Sequence, residues 1–228
     1  MKDYDFFPGE GKFYKANLHC HTVISDGKLT KEQIKEEYQK RGYSIVAFTD
    51  HRTYGYHPEL TDENFIALAG IEVDVSENSE KCGGWPHAKC YHLNFYDEHP
   101  EEGKEFPLPT YVYEDMAGQN AYIKERTEAG FLCCYNHPYW SLQNYDDYKD
   151  FEGLWAMEIY NHGCEHDGLY GFNPQSYDEM LRSGQKLFTV ATDDNHNWFP
   201  LTDPMCDSFG GFIQIKASEL TYEAVIKA

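Results

Sequence analysis

A chain of 228 residues is long enough for one full-sized domain with a sizeable core and short for two. Its formal charge of −20, from 39 acidic against 19 basic residues, argues against a protein that coats nucleic acid or a membrane surface, because both need clustered lysine and arginine. The opening MKDYDFFPGE lacks the apolar core of a signal peptide and no later run has the length of a membrane span, so a cytoplasmic protein is expected.

In chain order, seven short apolar or β-branched runs read as strands: KFYKANLHCH, SIVAFTDH, FIALAGIEV, AKCYHLNFY, GFLCCYNHP, WAMEIYN and LFTVATDDNH. Between the first two lies LTKEQIKEEYQKRGY, a helix that Thr30 caps, Gln33 completes as a capping box and Gly42 ends. EDMAGQNAYIKERTEAG before the fifth run and NPQSYDEMLRSG before the seventh repeat the pattern. Strands alternating with helices predict an α/β fold with parallel strands and crossover helices. Past the last run, residues 209–228 hold a further strand and a two-turn helix capped by Thr221. One domain over 1–228 is expected, in which 209–228 is an appendage that either closes the barrel or is cut short.

Each run carries His, Asp or Glu at or near its C-terminal end: His19 and His21, His51, Glu72, His92, His137, Glu158, then Asp194 and His196. In a parallel barrel all those ends share one mouth, so residues scattered over most of the chain would converge there, whereas an open sheet would spread them along a crevice. A barrel is therefore the preferred architecture.

Two residues apart on a strand, His19 and His21 point to one side and can clasp one ion, and Asp194 with His196 repeats the spacing. Together with Asp26, His51, Glu72, His92 and His137 they offer more nitrogen and oxygen ligands than one tetrahedral ion can use, which predicts more than one metal. Ser25-Asp26-Gly27 reads as a turn that folds a carboxylate back over the site, with Gly27 free to take positive φ. Cys82, His87, Cys90 and His92 could in principle hold a structural zinc, but the spacing fits no standard finger, and a glycine-rich loop entering a strand is the preferred reading. Seven cysteines without an even spacing do not suggest a disulfide framework.

HCHTVISDG, FTDH, GIEV, YHL, NHP and TDDNH, in this order, resemble the signature blocks of the polymerase and histidinol phosphatase (PHP) superfamily of metal-dependent phosphoesterases. The resemblance implies a distorted (βα)7 TIM-like barrel with three metal ions at its C-terminal mouth. It implies a first ion on His19, His21 and Asp194, bridged by Glu72 to a second on His92 and His137, and a third on Asp26, His51 and His196. Adjacent Asp193 and Asp194 leave the register of the aspartate open; the i+2 relation to His196 favours Asp194.

The expected reaction is hydrolysis of a small-molecule phosphate ester, a nucleotide among the options, by a hydroxide bridging two ions of a trinuclear site. The cofactors would be two to three divalent ions, Zn, Mn or Fe. Neither polymeric nucleic acid nor a membrane is an expected partner. An amidohydrolase or lactonase on the same metals is the alternative enzyme, and a non-catalytic metal-binding domain the alternative outside catalysis. Asp50 and Arg52 are the catalytic candidates, Asp50 to orient an imidazole or protonate the leaving alkoxide and Arg52 to grip a phosphate oxygen. Glu158 reads as a polar mouth residue that positions loops. His57, His162 and His166 fall in loops after strand ends, and Tyr54, Tyr56, Trp140 and Trp198 are candidates to stack on a base or sugar.

Overall fold

The computed structural model describes residues 10–78, 80, 83 and 86–228. All seven sequence runs are strands: β1 (Lys12–Asn17), β2 (Tyr43–Phe48), β3 (Ile66–Ser76), β4 (Cys90–Asp97), β5 (Phe131–Tyr135), β6 (Ala156–Asn161) and β7 (Phe188–Thr192). An eighth, β8 (Ile213–Ala217), joins the same sheet, whose order is β7-β6-β5-β4-β3-β2-β1-β8. The sheet curls into a nearly closed TIM-like barrel. Beyond their regular ends β1 and β7 meet: Cys20 bridges Asn195, the His21 amide donates to Asn195 O at 3.1 Å, and the Asp194 amide donates to His19 O at 3.0 Å.

The parallel arrangement expected of the seven runs needs correcting at β4, and the appended strand β8 adds a second antiparallel pairing. β4 runs antiparallel to both neighbours, pairing Gly70 with Tyr96 through Ser76 with Cys90, and β8 runs antiparallel to β1. The sequence offers no helical segment between the third and fourth runs, and a strand that doubles back on its neighbour needs no crossover helix. His92 is consequently the third residue of β4, not a residue of its C-terminal end, and the reversal is what brings it to the mouth.

The helices follow their local signals. α1 (Lys31–Gln39) has the Thr30 N-cap and the reciprocal Gln33 box, and Gly42 behind it takes φ 77°. α2 (Met116–Glu128) is capped by Asp115. Then come the short α3 (Tyr145–Tyr148) and α4 (His162–His166), α5 (Pro174–Arg182) with proline in its first turn, and α6 (Tyr222–Ile226), whose cap is Thr221 as expected. Among the described residues no helix is long and apolar enough to cross a membrane.

Alternation along β2 shows how the layers form. Ile45 and Ala47 face a cluster with Ala16, Ile66, Tyr96, Cys134, Ala156, Val190 and Ala217, which draws on all eight strands and fills the barrel interior. Val46 and Phe48 face outward onto Ile34 and Tyr38 of α1. A third cluster, rich in tyrosine and phenylalanine, packs around β4, β5 and α2. These closed layers leave one end of the barrel for polar groups.

Candidate metal centre

His19 and His21 follow β1 and are fully buried. Their Nε2 atoms lie 3.1 Å apart, at 3.1 and 3.0 Å from Asp194 Oδ1 and both at 3.3 Å from Glu72 Oε2. Glu72 comes from the middle of β3, and its carboxylate also meets His51 Nδ1 at 3.0 Å and His92 Nδ1 at 2.9 Å. Asp26 Oδ1 is 3.3 Å from His196 Nε2 and 3.9 Å from His21 Nδ1. His137 Nε2 stands 3.6 Å from Glu72 and 3.7 Å from Asp194. All nine sequence candidates for metal binding are thus gathered around one cavity.

The surrounding residues fix which nitrogen three of the imidazoles present. Glu158 Oε1 takes His19 Nδ1 at 2.6 Å, so Nε2 is free to face the centre, and Glu158 is itself held by Thr192 Oγ1, Asn161 Nδ2 and the His137 amide. Ser141 Oγ lies 3.1 Å from His137 Nδ1, and the Asp194 carbonyl oxygen 3.0 Å from His196 Nδ1. Glu158 therefore does more than the loop positioning read from sequence.

The turn bearing Asp26 folds over the site because the Ser25 and Gly27 amides donate to Thr22 O. Gly27 is not at positive φ, contrary to expectation; a Cβ there would lie 2.5 Å from His21 O, so glycine serves a close backbone approach. Asp50 is buried beneath this turn, accepting hydrogen bonds from the amides and hydroxyls of Thr22 and Ser25. It is therefore the anchor of the Asp26 turn, not the partner of an imidazole. Arg52 forks its guanidinium onto Asp74 at 2.7 and 2.8 Å, at the rim.

Electrostatics follow from this crowding. Burial alone would lower the His21 imidazole, yet Asp194 and Glu72 outweigh it and push it up to about 9. His51, where burial prevails over Glu72, falls to about 4. Burial would raise Glu72 and Asp194, but the imidazoles around them hold both well below the usual carboxylate range.

The donor set fits divalent ions. Glu72 Oε2 and Asp194 Oδ1 are buried with no hydrogen-bond partner, facing the Nε2 atoms of His19 and His21, and the far side of His19 is already engaged by Glu158. Among the described residues, five sets of three or four each bring their ligand atoms within 4.8 Å of one another: His19, His21, Glu72 and Asp194; His21, Asp26, His51 and His196; His51, Glu72 and His92; His19, His137 and Glu158; and His137, Cys164 and Asp194.

Above the centre opens a cavity of about 490 Å³, walled by Trp140, Trp198, Phe199, Met205, His166 and Asp207 besides the metal candidates. Tyr54 instead donates to Asp97 under the Phe131 ring, and Tyr56 lines a separate cavity with Tyr222, so two of the four aromatic candidates face the centre. His162 contacts His166 behind the wall, while His57 packs on Phe48 near Lys31. Of the zinc-loop candidates, Cys82 lies outside the described residues, Cys90 Sγ contacts Ser76 Oγ, and His92 turns into the site. Asn136, Asn161, Thr192, Ser141 and Cys164 were not singled out by sequence, although Asn136, Asn161 and Thr192 stand at or beside strand ends and Cys164 lies three residues past one.

No family model matches the chain. It is 32% identical over 79 residues to the DNA polymerase/3'-5' exonuclease PolX of Bacillus subtilis, and 29% over 90 residues to a 5'-3' exoribonuclease of Haemophilus influenzae. Those matches span 14% and 31% of the relatives' lengths and 27% and 38% of this chain. A two-domain protein of Bacteroides vulgatus, containing a predicted PHP-like metal-dependent phosphoesterase, superposes with a TM-score of 0.55 at 15% identity, over 95% of this chain and 62% of its own. The protein has a PHP-like fold. A proposed metal-dependent phosphoesterase of Bifidobacterium adolescentis shares this PHP-like architecture at 0.51 and 18% identity, covering 82% of this chain and 89% of its own. An amidohydrolase of Chromobacterium violaceum does so at 0.50 and 16%, covering 84% and 93%. Within the PHP-like frame, the compact set around Glu72 and His92 contains His51, where the resemblance implied His137.

Proposed function

We propose that the chain is a metal-dependent hydrolase of small phosphate esters, nucleotides included, working with two to three divalent ions of the Zn, Mn or Fe type. The observation that carries this reading is the convergence of nine His, Asp and Glu side chains around two buried carboxylate oxygens that have no hydrogen-bond partner. Bound there, such ions lower the pKa of water and take up charge developing on a phosphoryl oxygen.

The chain's own residues supply the rest. No lysine or arginine is among the described residues lining the cavity, Lys28 rests its ammonium on the Trp198 ring and Arg52 is committed to Asp74, so the ions are the main counter-charge for an anionic substrate. A cavity of about 490 Å³ suits a small molecule better than a polymer, as does the charge of −20. Trp140 and Trp198 give the leaving group a flat apolar wall, Trp140 steadied by its Nε1–H donating to Asp167 at 2.8 Å. The Asp50-anchored turn keeps Asp26 over the site.

Hydrolysis of an amide or lactone is the second reading, supported by the amidohydrolase among the neighbours of this fold. Elemental analysis of the purified protein, combined with hydrolysis of an aryl phosphate before and after chelation and in His19→Ala, tests the first. Two to three equivalents of metal, with activity lost in both treatments, is the expected result. Metal with turnover only of amides or lactones selects the second reading; protein that binds no added Zn, Mn or Fe overturns both.

A further inference from the structure

His137 has no place in the compact Glu72, His51 and His92 set, and what it does approach is informative. Its nitrogen, an Asp194 carboxylate oxygen and Cys164 Sγ all lie within 4.8 Å of one another, and all three residues are buried. We propose that Cys164 is a sulfur ligand to an ion held at His137 and Asp194, and that it biases this end of the centre toward zinc- or cobalt-like ions over magnesium- or manganese-like ones. The inference rests on the metal-dependent reading above and deepens it.

The backbone that carries the thiol is held in place by the same residue that orients the carboxylate. Asn161 Oδ1 accepts from the Cys164 amide at 2.9 Å, while its Nδ2 donates to Asp194 Oδ2 at 3.0 Å and to Glu158 Oε2 at 2.9 Å. The start of α4 is clamped onto the strand end below it: the Gly163 amide donates to Asp193 O at 2.8 Å, and a Cβ on Gly163 would come within 2.9 Å of Asp194 O. Cys164 therefore lines the cavity on a fixed frame. Other buried cysteines are differently disposed, Cys20 and Cys134 setting their thiols against the carbonyl oxygens of the next residue. The Asp194 oxygen toward His137 is Oδ2, at 3.7 Å from its Nε2, while Oδ1, which has no hydrogen-bond partner, faces His19 and His21, so this one carboxylate can join both ends of the centre. Sulfur, imidazole nitrogen and carboxylate oxygen form a mixed set that zinc accepts and that hard ions do not prefer. On binding, the S–H bond breaks, its proton leaves to solvent, and the electron pair stays on sulfur to form the sulfur–metal bond.

Cobalt(II) titration of the chelator-stripped full chain is the test. Wild type should show visible cobalt bands together with near-ultraviolet thiolate-to-cobalt absorption. In Cys164→Ser the near-ultraviolet absorption should vanish while cobalt still binds, and the preference for zinc over manganese should fall roughly tenfold or more. Because a variant at a buried position can fold poorly, zinc-edge X-ray absorption on the wild-type protein supplies a measurement without substitution: a sulfur neighbour at about 2.3 Å is expected. Bound ions with only nitrogen and oxygen neighbours, or near-ultraviolet absorption that survives in Cys164→Ser, overturn the assignment and leave the metal centre standing. Failure to retain cobalt or zinc overturns the metal-dependent reading itself.

Discussion

Two buried carboxylates, one residue apart on the end of the same strand, are treated in opposite ways by the seam of the barrel and by its mouth. At the seam, Asp193 is surrounded by donors: Tyr38 O–H at 2.7 Å and the amides of Phe209, Gly210 and Gly211 at 2.8, 2.9 and 2.7 Å. At the mouth, Asp194, held at φ 53°, presents to two imidazoles an oxygen that has no hydrogen-bond partner. A buried charge costs several kcal/mol to desolvate, more than a single buried leucine or valine contributes, at about 1.5–3 kcal/mol. Four donors offset part of that cost at the seam within the protein, though burial still prevails and pushes Asp193 up to about 7. At the mouth the offset has to come from a cation, and this marks ligand from structural carboxylate.

Exchanging the two tests that distinction most severely. Asp194→Ala should reduce metal content and lower hydrolysis by at least about 10²-fold, since removing even the partners of ligands costs ~10–100-fold. Its melting temperature in chelator should move little beside that of Asp193→Ala. Asp193→Ala leaves three backbone amides and a tyrosine hydroxyl without their acceptor and should cost about 3–4 kcal/mol, read as a lowered denaturation midpoint. Equal stability losses in the two variants would erase the contrast.

Glu158→Gln sharpens it further. Glutamine keeps the shape but weakens the 2.6 Å contact that aims His19 Nε2 inward, so metal affinity should fall by roughly 10–100-fold with the fold unchanged. Calorimetric metal titration, with circular dichroism as the control for folding, reads both; unchanged affinity would make Glu158 a bystander.

The mouth should also titrate at higher pH than the seam, where burial outweighs the four donors and pushes Asp193 up to about 7. His21 has a folded-state value of about 9 against an ordinary 6.5, so its contribution is complete below pH 6.5 and is lost as pH rises through about 9. His51, lowered to about 4, is neutral in the folded state across that window, and its unfolded form sheds its remaining proton just above pH 6.5, so it opposes the loss only slightly at the low end. Stripped protein should therefore lose thermal stability between about pH 6.5 and 9. Metal-loaded protein should hold its melting temperature there, because cations replace the protons. A flat profile for the stripped protein would mean that His21 is not protonated in the cluster.

How much of this could be read in the sequence depends on what each residue needs around it. The strands and most ligands were legible because each ligand ends an apolar run, and the barrel supplies the convergence. α1 was legible down to its Thr30–Gln33 box, because capping is settled within four residues. The reversal of β4 was not, since nothing local distinguishes a strand entering a parallel sheet from one folding back in a hairpin; it placed His92 at the wrong end of its strand. Gly27 was assigned to the right turn for the wrong reason, because its constraint is the His21 carbonyl and not its own φ. Asn161 and Asn136 stayed hidden because the carboxylates they hold at the centre lie far off in sequence, 33 positions for Asn161 with Asp194 and 64 for Asn136 with Glu72, although Asn161 also bonds Glu158 and the Cys164 amide three residues away.

Arg52 gives the smallest expected effect and bears directly on how the mouth handles charge. From sequence it is the natural phosphate grip, one residue past His51. Its guanidinium instead makes the two-pronged contact with Asp74 that suits a planar fork, and its backbone sits at φ 53°, which aims the side chain along β3. An exposed pair of this kind contributes about 0–1 kcal/mol, so neither stability nor fold should suffer from Arg52→Ala. If the ions alone hold the anion, KM for a phosphate ester should change less than about threefold, well under 1.4 kcal/mol. A rise in KM of tenfold or more, with kcat retained, would show that Arg52 leaves Asp74 for the substrate, and the claim that the cavity depends on metal for its positive charge would then fail.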